Sequence, residues 1–144
     1  MHHIIRAIYQ IDEHTLSVLF VEGITKVWDF SPWYDKYPAF RKLKEHPELF
    51  DDPTVDVGGA GIVWSDELDM DCNTIFDEGV ETPSVFDGLI SFSEATILWD
   101  LNESTLRKAL AYGKLKPGID ACKFGGTWIV KKEAMVREYG PERN

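Results

Sequence analysis

Ser104, Thr105, Arg107 and Lys108 stand together in one short segment, and Lys114, Lys116 and Lys123 follow within twenty residues. Hydroxyls and cations at this density suit contact with duplex DNA. An arginine can offer two donors to a guanine edge, hydroxyls can meet bases or phosphates, and lysines neutralise phosphates without reading sequence. Between residues 104 and 132, seven Lys/Arg stand against Asp120 alone. The rest of the chain runs the other way. Residues 1–90 hold 6 Lys/Arg against 18 Asp/Glu, and residues 91–144 hold 9 against 7, so the net charge of −10 hides a cationic end. The bland reading of that end is a solvated basic face; what decides is the element carrying it.

The remaining candidates for chemistry are weaker. Gly58-Gly59-Ala60-Gly61 lacks the Lys-Ser/Thr of a phosphate loop and sits between strand-like segments, which is a hairpin turn. Asp69-Met70-Asp71-Cys72-Asn73 opens like a calcium loop, but Thr74 stands where the sharp turn needs Gly and Val80 where a bidentate Glu is required. A solvated acidic edge is the simpler reading. A hydrolase built on Asp66, Asp69, Asp71 and His46 would need those groups to converge in one pocket. Cys72 and Cys122 have no metal-ligand spacing, which fits a reducing compartment. No catalytic residue, metal or cofactor is expected.

The element that must position the cations is a pair of helices. Ser91-Phe92-Ser93-Glu94 is a capping box, so a helix should run from about Phe92 to Trp99. After Asp100-Leu101, a second helix starts at Asn102-Glu103-Ser104-Thr105, carries the stripe Leu106/Ala109/Leu110 and stops at Gly113. Ala95, Leu98, Leu101, Leu106 and Ala109 should face inwards, which leaves Ser104, Thr105, Arg107, Lys108 and Ala111 outside. Ile119–Phe124, Gly125-Gly126 and Thr127–Val130 predict a tight hairpin, and Lys131–Tyr139 a closing helix stopped by Gly140-Pro141. Phe124, Trp128, Met135 and Tyr139 are expected in the core.

The segment Ser93 to Leu110 resembles the helix-turn-helix domains of excisionase-like and MerR-like regulators, departing at Asp100, where that family has a turn Gly. Asp tolerates the left-handed conformation at modest cost. The resemblance implies a winged helix-turn-helix over residues 91–144, its second helix in the major groove of double-stranded DNA. One such helix buries too little for strong specificity, so a homodimer is expected.

The acidic part predicts a small α+β domain over residues 1–79. Ile4–Ile11, Leu16–Phe20 and Ile24–Phe30 form an antiparallel meander. Ser31-Pro32 starts a helix with Ser as cap, short helices break at Pro38 and Pro47, and Trp33, Tyr37, Phe40, Leu43 and Phe50 cover one sheet face. Thr54–Val57 and Ile62–Ser65 make a last hairpin. The runs Val18–Phe20, Trp28-Asp29-Phe30-Ser31-Pro32-Trp33, Phe40–Leu43, Pro47–Phe50, Ile62–Trp64 and Asp69–Phe76 resemble the DUF2442 family, with Cys72 where that family usually has Pro. The resemblance implies a non-enzymatic α+β domain of an antitoxin-like protein that binds a toxin-like partner. Residues 80–90, with Pro83 and Gly88, lose periodicity and are read as a linker.

With 44% hydrophobic residues there is enough apolar surface for a core, and no uncharged run reaches membrane-span length. The expectation is a cytoplasmic, two-domain DNA-binding regulator, an autoregulating antitoxin in its finer form. The alternative is an adaptor or DNA mimic that uses its acidic half against a basic partner.

Overall fold

The computed structural model describes residues 2–143 and divides the chain into two compact units, one ending at Asp87 and the other beginning at Gly88. Both are mixtures of short helices and antiparallel strands.

In the first unit, β1 (Ile5–Asp12), β2 (Thr15–Phe20) and β3 (Thr25–Asp29) form the expected meander. Alternation makes the core: Leu16, Val18 and Phe20 are buried, while Ser17 and Leu19 on the other face are only half-buried. The segment after Phe30 differs from the expectation. Ser31 lies inside a 3-10 turn, Ser31–Tyr34, whose N-cap position is Phe30, so Ser31 is not the cap; the carboxylate of Asp29 accepts the Ser31 N–H at 2.9 Å. Pro38 begins α1 (Pro38–Glu45) instead of breaking a helix, because its missing N–H costs nothing in a first turn. Phe40 is buried and Trp33, Leu43 and Phe50 pack against the core, whereas Tyr37 is half exposed and stacks on Trp33 at 4.9 Å.

A second sheet contains β4 (Thr54–Val55), β5 (Gly61–Ser65) and β6 (Leu68–Asp71) in that order. The hairpin 54–65 is therefore not the last one. The turn before β5 needs glycine: Gly59 has φ +71°, and a Cβ there would lie 2.4 Å from the Ile5 carbonyl oxygen. The acidic segment 69–73 does lie at a solvated edge, with Asp69 and Asp71 exposed on the outer strand β6. Leu68 and Met70 point into the core from β6, and Asp71 caps α2 (Cys72–Glu78) by accepting the Thr74 N–H at 3.1 Å. From the end of α2, Glu78 accepts the indole N–H of Trp28 at 2.9 Å and of Trp33 at 2.8 Å.

The segment 80–90 is not a free linker. β7 (Val80–Glu81) pairs with β3 and completes the order β1-β2-β3-β7. Asp87 accepts the Thr25 hydroxyl at 2.6 Å and the Ser84 N–H at 2.9 Å, tying the chain up to that point into the first unit. β8 (Leu89–Ser91) belongs to the second unit, where it pairs with a strand forty residues away. Backbone polar groups satisfied by such distant partners leave no periodic signal of their own.

The second unit continues with α3 (Phe92–Trp99), α4 (Glu103–Ala111), β9 (Ala121–Phe124), β10 (Thr127–Lys131) and α5 (Lys132–Tyr139). Its sheet order is β8-β10-β9. The core gathers Ile90, Phe92, Ala95, Trp99, Leu106, Ala109, Leu115, Ala121, Val130, Ala134 and Met135, all buried. Leu98, Leu101, Trp128 and Tyr139 are partly buried against it. Phe124 is 54% exposed and does not join this core. It lies three residues from inward-facing Ala121, and an odd offset on a strand turns the side chain outwards.

Candidate nucleic-acid interface

Local signals fix the helix pair. The Ser91 side chain accepts the Glu94 N–H at 3.1 Å while the Glu94 carboxylate accepts the Ser91 N–H at 2.9 Å, the reciprocal capping box. α3 ends on Asp100 in the left-handed region, φ 53° and ψ 53°. Among the described residues it alone has a positive φ without being glycine. Leu101 and Asn102 then carry the chain into α4, which closes with Gly113 at φ +79° just past its end. Trp99 donates its indole N–H to the Gly140 carbonyl at 2.7 Å, joining the helix pair to the end of α5.

α4 buries Leu106 and Ala109 and leaves Ser104, Arg107, Lys108 and Ala111 exposed, with Thr105 half-buried on the flank. Arg107 stands over the helix edge beside Glu103, 3.9 Å away one turn back. That edge borders a cleft of about 180 Å³ lined by Glu103 and Arg107 from α4, Ser93 from α3 and Gly126, Thr127 and Trp128 from the β9–β10 hairpin. The two-residue hairpin turn is tight because Gly125, at φ +59°, adopts a conformation costly for other residues. Lys123 pairs across the hairpin with Trp128, on the strand face that also carries buried Ala121 and Val130. The structure thus brings the exposed side of α4 and the hairpin tip to one cleft. Ser93, Gly126 and Thr127 were not legible as its walls; only the distant pairing of β10 with β8 places them there.

The other cations are placed differently. Lys108 on α4, Lys114 and Lys116 in the loop after it, and Lys123 on β9 are exposed, and none of them lines that cleft; the Lys114 ammonium sits 4.3 Å from the Tyr139 ring. Lys132 is turned in, its side chain 15% exposed and 2.5 Å from Glu142. Asp120, the lone acid of that stretch, is buried. It accepts two hydrogen bonds from Arg137 and one from the Lys116 backbone N–H at 2.9 Å. Hydrogen bonding from Arg137, then from Lys116, holds its carboxyl below the usual range against the opposing effect of desolvation. The negative charge among the cations is therefore spent inside the unit.

The groups considered for other chemistry do not converge. Asp71 serves as a helix cap and His46 faces Glu48 at 3.3 Å. Among the described residues no three His, Cys, Asp or Glu side chains gather so as to hold a metal ion, and no helix is long and apolar enough to cross a membrane.

Two helices joined at a left-handed residue, with the second presenting an exposed polar face, define a helix-turn-helix domain. The helix-turn-helix domain family model matches residues 83–144, which takes in the whole second unit and the five residues before it. Comparison with curated proteins and with solved structures gives no match.

Proposed function

We propose that the chain is a DNA-binding transcriptional regulator that places α4 in the major groove and uses the β9–β10 hairpin as a wing. One observation carries this reading: Arg107 and the hairpin turn border the same cleft at the exposed face of α4. Arg107 reads guanine, Ser104 and Thr105 meet bases or phosphates, and Lys108, Lys114, Lys116 and Lys123 serve the phosphates. A homodimer supplies the second recognition helix that specificity requires. The chain acts in the cytoplasm and performs no catalysis.

The acidic first unit binds a protein partner. Its sequence resemblance to DUF2442 makes the finer reading an autoregulating antitoxin whose partner is a basic, toxin-like protein drawn in by complementary charge. The test for DNA is selection of duplexes from a random pool by the full chain, followed by salt titration of the best one. Log affinity should fall linearly with log salt, with a slope of roughly −3 to −5 for about four to six phosphates neutralised. An adaptor or DNA mimic would select no sequence and show no such slope.

A further inference from the structure

β6 is the outer strand of the sheet β4-β5-β6, so one of its edges pairs with β5 and the other has no strand beside it. Alternation fixes which backbone groups lie on that open edge. The Cys72 N–H donates to the Ala60 carbonyl at 2.8 Å, and Met70 stands opposite Ile62 two places on, so Met70 turns its polar groups to β5. Asp69, one residue along, turns its N–H and C=O outwards, where no described backbone group bonds them.

A groove of about 570 Å³ follows this edge. Glu67–Asp71 line one wall in unbroken succession, and Trp33, Tyr37 and Pro38 belong to the other. Buried Leu68 and Met70 and exposed Asp69 and Asp71 all line it, although neighbours on a strand point to opposite faces. Only a channel running along the strand's edge meets both sets. The far wall is aromatic, with half-exposed Tyr37 stacked on Trp33 at 4.9 Å. The lining includes three carboxylates and no Lys, Arg or His. Asp71 spends its carboxylate on the N–H and hydroxyl of Thr74, which leaves Glu67 and Asp69 as the anions presented. Lys36 stays outside the lining, its ammonium 5.0 Å from the Trp33 ring.

We infer that this groove takes an extended segment of a polypeptide partner as an added strand on β6, with cationic and apolar side chains alternating along it. Main-chain hydrogen bonds to Asp69 hold the strand, and alternate side chains set the choice of sequence. One face of the added strand meets Glu67 and Asp69 across the ladder and suits Lys or Arg. The other face lies against the Trp33–Tyr37 wall and suits Val, Ile or Leu. The same charges disfavour a second copy of the chain, because β6 against β6 sets like carboxylates side by side. The inference deepens the partner-binding reading above and rests on it for the source of the segment.

The probe is an acetylated, amidated heptapeptide of alternating lysine and valine, titrated into the full chain and followed by amide and indole NMR signals. The expected result is weak binding, roughly 0.1–1 mM, with the largest shifts at residues 67–71 and the Trp33 indole. Three comparison peptides decide the mode: one with glutamate in place of lysine, one with the lysines and valines in separate blocks, and one N-methylated at every inner residue. Each should bind at least about fivefold more weakly. The double variant Glu67→Gln/Asp69→Asn and the single variant Tyr37→Ala should each weaken binding by about threefold or more, with the remaining amide spectrum unchanged. Equal binding of the methylated peptide overturns strand addition, and equal binding of the block peptide reduces the site to bulk charge and overturns it too. No binding, shifts centred elsewhere, or indifference to both variants has the same consequence. Concentration-dependent shifts at residues 67–71 without peptide overturn the partner assignment in favour of a second copy. A natural partner whose complex leaves those amides unshifted keeps the partner-binding reading and overturns the groove. Peptide binding as expected, in a chain with no affinity for any basic toxin-like protein, overturns the finer partner reading alone.

Discussion

The two η nitrogens of Arg137 meet the two carboxylate oxygens of Asp120 at 3.2 and 2.7 Å, linking α5 to the loop before β9. Asp120 is buried while the guanidinium is half exposed, so the carboxylate is the partner that depends on the pair. Its folded-state pKa is depressed, chiefly by the Arg137 hydrogen bonds. The stabilisation is complete above the unfolded value of about 4 and is lost as pH falls through the lower folded value. Asp120→Asn should destabilise the second unit by about 2 kcal/mol at neutral pH. It should also flatten the fall in stability below about pH 4. Urea unfolding at pH 7 and pH 3 checks both; an undiminished acid-side loss in the variant would assign it to other carboxylates.

Arg107 and Lys123 should fail in different ways. Arg107→Ala should cost about 1–3 kcal/mol and relax preference at one base position. Lys123→Ala should weaken all duplexes alike and make the salt slope about one unit shallower. Binding curves on the selected duplex and its single-base variants separate the two.

Asp100 holds a left-handed conformation that β-branched residues strongly resist. Asp100→Gly should leave stability unchanged or raise it by roughly 0.5 kcal/mol, whereas Asp100→Val should lower it by about 1–2 kcal/mol. Thermal unfolding of the three proteins gives the order directly. Equal loss in both variants would mean that the Asp side chain, not its backbone, matters.

Glu78 is the shared acceptor of two indoles, and Trp28 is fully buried. Glu78→Ala strands the Trp28 N–H away from solvent and should destabilise the first unit by about 2 kcal/mol, with a shift in tryptophan emission. An unshifted spectrum and unchanged denaturation midpoint would contradict this.

What the sequence made legible was local. Ser91 with Glu94, Gly113, Gly125 and Gly140 mark the boundaries of elements within a few residues of themselves, so α3, α4, the hairpin and α5 could be read. β7 and β8 could not: Val80 pairs with Val27 and Ile90 with Val130, and strands of two or three residues have too little alternation to show. Phe124 was misplaced because its size suggested a core, although counting alternation from Ala121 turns it out. The cations on α4 were readable from the Leu106/Ala109 stripe. The cleft beside them depends on where the hairpin folds back.

Glu103 reaches Arg107 across one turn of α4, both side chains largely open to water. A pair of that kind is worth only about 0.3–0.5 kcal/mol. On the proposed reading, Arg107 would come to any duplex with one anionic companion already at hand, and contact would be an exchange of company. A lone phosphate offers little more than what is given up. A guanine edge, with two acceptors side by side, would offer a clear surplus, so under that reading the acid would act as a filter that dulls chance encounters and spares the matched one.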